Sequence, residues 1–142
     1  MNKTGEKIYT IFAGVNGSGK SALYQQLTDK TLGDPFGIRV NFDEIIKEQF
    51  NHNWRDLKTQ NLAGRIVVGM VSDCLKNGKS LNQETTLTGK TIISNIKKAK
   101  ESGYKIHLFY IGVSSVQVSI DRVKARVDNG GHGVPLENLL RR

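Results

Sequence analysis

Cysteine is almost absent from this chain of 142 residues: Cys74 stands alone. That excludes an internal disulfide framework and any all-cysteine metal cluster, and it fits a reducing, cytoplasmic setting. Long apolar runs are missing too, none approaching the ~20 residues that span a bilayer, so no membrane partner is expected. The apolar stretch from Ile8 to Val15 contains Thr10 and runs into Asn16-Gly17-Ser18-Gly19-Lys20 without a small-residue cleavage pattern, so it is not an export signal. Acidic residues are in deficit, 13 against 21 Lys and Arg, leaving a net charge of +8 that favours anionic partners. The basic residues are spread along the chain with no aromatic stacking motif beside them, which argues against nucleic acid as the anion.

What is present is enough for one domain, residues 1–142, able to bury a core without staples. Short β-branched runs alternate with longer segments whose apolar residues recur three and four apart. Strands are expected at Lys7–Val15, Ile38–Phe42, Ser80–Glu84 and Lys105–Gly112. Helices are expected at Ser18–Thr28, Glu44–Phe50, Trp54–Lys76, Thr88–Ser102 and Val116–Val127, with a last one beginning at Leu136. Such alternation predicts an α/β fold of three layers, a mostly parallel sheet between helices.

The strongest chemical signal is Gly14-Val15-Asn16-Gly17-Ser18-Gly19-Lys20-Ser21, which fills G-x-x-x-x-G-K-[ST] between a strand and a helix. Glycines there let successive N–H groups turn inward toward phosphate oxygens, and the helix N-terminus adds partial positive charge. Gly14, Asn16, Gly17, Ser18, Gly19, Lys20 and Ser21 are therefore the expected nucleotide-binding residues. Lys20 is expected at the β- and γ-phosphates and Ser21 at Mg²⁺. Gly78-Lys79-Ser80 and Gly89-Lys90-Thr91 share the tail of the motif but have Asp73 and Glu84 where its first glycine belongs. The strand Ile106–Ile111 ends without the carboxylate that motors and GTPases use for Mg²⁺, and no Asn-Lys-x-Asp guanine-reading motif occurs. Both absences favour a small-molecule kinase using ATP.

Other candidates lie at strand ends or near the C-terminus. Asp43 follows the second strand, where a carboxylate can take a proton from an attacking hydroxyl; capping the next helix is its structural alternative. Glu84, Thr85 and Thr86 close the third strand, suited to substrate hydroxyls or a Mg²⁺-bound water, or else forming a plain polar loop. Arg122 and Arg126 lie four apart, with Arg141 and Arg142 beyond the glycine-rich Asn129–Pro135. Together they form either a clamp over phosphates, the second pair on a partial lid of residues 128–142, or solvated charges. His132 in that loop is a further substrate candidate with no partner at metal-ligand spacing. Cys74 and Met70 read as core, and Trp54 either caps the long helix or faces a ligand.

With these pieces placed, the chain resembles the zeta toxin family of P-loop kinases, especially its shorter chromosomal members. The matching segments are Ala13–Ser21, Val40-Asn41-Phe42-Asp43-Glu44-Ile45, Gln83-Glu84-Thr85-Thr86, and Arg122–Pro135 with Arg141-Arg142. The resemblance implies transfer of the γ-phosphate of Mg·ATP to a sugar hydroxyl of UDP-N-acetylglucosamine. It implies Lys20 and Ser21 on ATP and Mg²⁺, Asp43 as base, Glu84 and the threonines on the amino sugar, and Arg126 with Arg141 or Arg142 on the phosphates. The family pattern continues past the double arginine into a further strand, so a sheet short of that strand is expected. Plasmid members carry more chain ahead of the P-loop and are neutralised by a small helical antitoxin that blocks the ATP site; the early Gly14 counts against such a partner. A kinase of another small hydroxyl compound, such as an antibiotic or a sugar acid, and a non-catalytic nucleotide-binding module are the alternatives.

Overall fold

The computed structural model describes residues 5–29, 35–131, 133–134 and 140. Its sheet is built around β1, Ile8–Ala13, whose alternating side chains serve two helical layers. β1 pairs in parallel with β3, Leu81–Thr85, on one side and with β4, Lys105–Tyr110, on the other; β2, Ile38–Val40, pairs with β3. The strand order is β2-β3-β1-β4. All four carboxyl ends therefore share one edge, where ligands bind in open α/β sheets.

Period-two alternation decides what each face carries. Tyr9, Ile11 and Ala13 point to one face and pack with Val40 and Leu81 against Val71 and Cys74 of α3, Leu57–Asn77, and Ile92 and Ala99 of α4, Thr91–Glu101. Burial pushes the Tyr9 phenol above its ordinary range, and its hydroxyl donates to Gln83 Oε1 on the same face. On the opposite face Phe12 stacks on Phe109 and meets the edges of Phe36 and of Tyr24 from α1, Lys20–Thr28. That face also carries Arg39, Asn82 and Glu84, a polar strip beside the aromatic one.

The helices end for local reasons. At the start of α2, Phe42–Gln49, Asn41 Oδ1 accepts from the backbone N–H groups of Asp43 (2.9 Å) and Glu44 (3.1 Å). The cap is thus Asn41, and Asp43 sits inside the first turn rather than capping it, because the strand stops at Val40. The cap of α3 is Asp56, whose carboxylate accepts from Thr59 N–H and hydroxyl and is held below its usual pKa by those bonds; Trp54 lies before the helix. Gly78, at φ 65°, closes α3 in the left-handed conformation suited to glycine. The last described helix is α5, Val116–Asp128. Of the helix expected from Leu136, only Leu140 lies within the described residues, and most of the proposed lid, residues 128–142, lies outside them.

β4 departs from its apolar sequence. Leu108 and Tyr110 are 55% and 65% exposed, whereas Ile106, earlier on the same face of the strand, packs against the core. No helix among the described residues is long and apolar enough to cross a membrane.

Burial separates two leucines of similar sequence context. Leu81→Ala, at a fully buried position, is expected to cost about 2–5 kcal/mol. Leu108→Ala is expected to cost under about 1 kcal/mol. Urea unfolding of both variants checks this, and equal losses would contradict the placement of the core.

Candidate functional site

At the carboxyl edge the chain leaves β1 through a loop that only glycine can form. Gly14 donates its N–H to Thr85 O at 3.2 Å. A Cβ on it would collide with Ile111 O and lie 2.7 Å from Ser18 Oγ. Gly17 and Gly19 have φ of 76° and 101°. A Cβ on Gly17 would meet α5, whereas one on Gly19 would point into open space. α1 starts from Gly19 without a side-chain cap, and the N-terminus of such a helix is suited to an anion.

This loop, the start of α2 and the residues after β3 enclose a cavity of about 460 Å³. Asn16, Gly17, Ser18, Gly19, Lys20 and Ser21 line one side, Asp43 another, Glu84, Thr85 and Thr86 a third, and Arg126 reaches it from α5. Gly14 supports the loop from beneath. Arg122 lies outside the cavity: its guanidinium donates to Gly17 O at 3.0 Å, while the Ser119 hydroxyl donates to Asn16 O. Both bonds grip carbonyls of the loop from α5. His132 and Arg141 lie outside the described residues.

The charges within the cavity are organised around Glu84. Its carboxylate accepts from Ser21 Oγ (2.8 and 3.1 Å), from Asn41 Nδ2 and from Arg39 Nη2. The Glu84 side chain is 8% exposed and that of Arg39 13%. Arg39 in turn donates to Asn82 Oδ1 at 3.1 Å and Glu44 Oε1 at 3.2 Å, with its guanidinium 3.5 Å from the Tyr24 ring centroid. Lys20 Nζ donates to Gly14 O (2.8 Å) and Val15 O (3.0 Å).

Chemically, this set fits a nucleotide with its metal. Ser18 Oγ is buried and has no hydrogen-bond partner among the described residues, an arrangement that a phosphate oxygen can satisfy. The Ser21 hydroxyl against the Glu84 carboxylate offers two oxygen donors of the kind hard divalent cations take. Thr86 Oγ1 and Thr88 Oγ1 lie 2.8 Å apart on the cavity wall, a hydroxyl-rich surface for a polar acceptor.

Motif reading missed Arg39, Asn41 and Thr88. A charged residue between Ile38 and Val40 is the available signal for Arg39, since a buried arginine requires carboxylates. Asn before Asp-Glu at a helix start is the signal for Asn41.

The sequence pattern described as Zeta toxin matches residues 1–141. An uncharacterized protein of Haemophilus influenzae is 37% identical over 122 residues, spanning 86% of this chain and 82% of its own. Among solved structures, a chain of the Pnkp1/Rnl/Hen1 RNA repair complex superposes with a TM-score of 0.70 at 19% identity; the alignment covers 99% of this chain but only 44% of that one. A candidate kinase from Chloroflexus aurantiacus gives 0.69 at 18% identity, with coverages of 94% and 76%. The PezAT chromosomal toxin–antitoxin system of Streptococcus pneumoniae gives 0.63 at 19%, with 98% and 62%. The chain belongs to the zeta toxin family, and its fold is the P-loop kinase-like α/β fold.

Removing the Arg39 guanidinium strands Glu84 in a buried setting. Arg39→Ala is expected to destabilise by about 3–5 kcal/mol. Arg65→Ala, on the exposed side of α3, is expected to stay within about 0.5 kcal/mol. Urea midpoints of the two variants decide it, and near-equal values would contradict a central role for the Arg39–Glu84 pair.

Proposed function

We propose that this chain is an ATP-dependent phosphotransferase acting on a hydroxyl of UDP-N-acetylglucosamine or a related UDP-amino sugar. The observation that carries the phosphotransferase reading is the convergence of the phosphate-binding loop, the Ser21–Glu84 pair and the Asp43 carboxylate on one cavity. The acceptor rests on the family resemblance, and the cavity's threonines are compatible with it.

Mg·ATP supplies the transferable phosphoryl group and a metal charge that screens its oxygens. The loop N–H groups, Ser18 and Lys20 would hold the phosphates. Lys20 must leave the carbonyls of Gly14 and Val15 to do so, exchanging neutral acceptors for anionic ones, which make stronger hydrogen bonds. Ser21, with Glu84 behind it, would hold Mg²⁺. Asp43 would accept the proton of the acceptor hydroxyl at its carboxylate, leaving the oxygen free to attack. Arg126 would face the phosphates and offset negative charge there. Thr85, Thr86 and Thr88 would orient the acceptor.

A toxin–antitoxin system is named for the S. pneumoniae structure, which supports a search for an antitoxin partner of this chain.

The test is transfer of labelled γ-phosphate from Mg·ATP to UDP-N-acetylglucosamine. Lys20→Ala and Asp43→Ala are each expected to lower the rate on the order of 10²-fold or more. ATP binding without transfer to this or any other small hydroxyl acceptor would contradict the proposal and favour a nucleotide-binding module. Transfer to a different acceptor would retain the kinase and replace its substrate.

A further inference from the structure

The cavity is walled on one side by α2 and on another by α5, and a contact between a glycine and a tryptophan joins the two sides. Gly133 is buried. A Cβ built on it would clash with Trp54 Cη2 and Cζ2 alike and lie 2.7 Å from Val127 Cγ2. The backbone at Gly133 therefore rests on the edge of the indole as closely as a residue without a side chain permits.

Trp54 is itself fixed on the α2–α3 side. Its ring packs on the cluster of Ile45, Ile46 and Ala63, the Arg55 guanidinium lies 3.9 Å from the ring centroid, and its carbonyl accepts from Gln60 Nε2 at 2.6 Å. At the other end of the contact, the chain turns over Arg126. Gly131 donates its N–H to Arg126 O at 2.8 Å. A Cβ on Gly131 would lie 2.6 Å from Arg126 Cγ, so the backbone there covers the arginine stem. Arg126 lines the cavity, as does Asp43 from the start of α2.

We infer that Trp54 is a positioning residue for Arg126: by seating Gly133 it anchors the chain two residues beyond Gly131, which covers the arginine stem, and so sets the guanidinium relative to the phosphate-binding loop. This rests on the ATP-binding reading above and deepens it, adding a residue that touches neither nucleotide nor acceptor. Ser119 and Arg122 tie α5 to the loop through the carbonyls of Asn16 and Gly17. The Trp54–Gly133 contact adds a tie to the α2–α3 side. A helix held from both sides keeps a long side chain in one place, and misplacement by about 1 Å is enough to lose much of the stabilisation it gives.

The test uses the full chain and reads binding rather than turnover. Calorimetry gives the affinity of Mg·ATP relative to Mg·ADP, which reports contact with the terminal phosphate. The fluorescence of Trp54, the single tryptophan, reports its environment. Gly133→Ala is expected to shift Trp54 emission to longer wavelength and to lower the ATP-over-ADP preference about as much as Arg126→Ala does, on the order of 10-fold. Trp54→Phe, which lacks the outer indole edge, is expected to lower the same preference.

In the Arg126→Ala background, Gly133→Ala is expected to add less than about a 2-fold change, because its effect passes through the arginine. A merely structural contact would give independent, multiplying losses, and that result would overturn the inference. An unchanged preference in Gly133→Ala and Trp54→Phe would overturn it too, as would equal wild-type affinity for ATP and ADP. Since none of these readouts needs an acceptor, failure of transfer to a UDP-sugar remains a separate result.

Discussion

A buried carboxylate, that of Glu84, organises the site. Alternation along β3 puts it on the face that α1 covers, with Asn82 two residues before it, and β2 brings Arg39 alongside. An ionised carboxylate at 8% exposure is tolerable only when paired and hydrogen-bonded. Arg39, Asn41 and Ser21 meet that need from three different elements. One charge thereby ties the second strand, the cap of α2 and the first turn of α1 to the end of β3. The tie to α1 matters because that helix has no buried residue of its own. Its position follows from Ser21 on Glu84, Tyr24 against Phe12, and the glycine loop that feeds it.

The same arrangement links folding to chemistry. Asn41 caps α2 with Oδ1 and reaches Glu84 with Nδ2. The residue that starts the helix carrying Asp43 thus also contacts the carboxylate placed against Ser21. A nucleotide and its metal would enter a set of groups already held by mutual hydrogen bonds, with Lys20 satisfied by loop carbonyls until an anion replaces them. Little reorganisation is then required on binding beyond that lysine, which is the physical content of preorganisation. α5 stands apart, touching the loop through Ser119 and Arg122 and the α2–α3 side through the glycine segment that follows it.

Local features made much of this legible from sequence. β1, the glycine loop and α1 are consecutive, so spacing alone specifies them, and the glycines at 14, 17 and 19 take the backbone shapes that only their lack of a Cβ allows. Alternating strands and helices gave the layered α/β architecture. Positions 43 and 84 were recognisable because carboxyl ends of parallel strands converge whatever their order. Arg39 was hidden because its value depends on pairing between β2 and β3, which no local pattern encodes. Asn41 was hidden because the apolar Phe42 beyond it extended the expected strand two positions past Val40. Arg122 looked like the partner of Arg126, since both share a helical face. One turn of α5 nevertheless separates a grip on the loop's carbonyls from a place in the cavity. The strand β4 was expected from its apolar run, but that run does not reveal that Leu108 and Tyr110 are largely exposed. Trp54 could not be placed at all until its distant neighbour Gly133 was known.

The central claim is that Ser21 and Glu84 form the metal-holding side of a nucleotide site, and it is tested most directly by calorimetric titration of ATP into wild-type protein and Glu84→Gln, each with and without Mg²⁺. The account predicts that Mg²⁺ strengthens ATP binding to the wild type and that this gain is largely lost in Glu84→Gln. An equal gain from Mg²⁺ in both proteins would contradict it, placing the metal on another carboxylate and leaving Glu84 a structural tie.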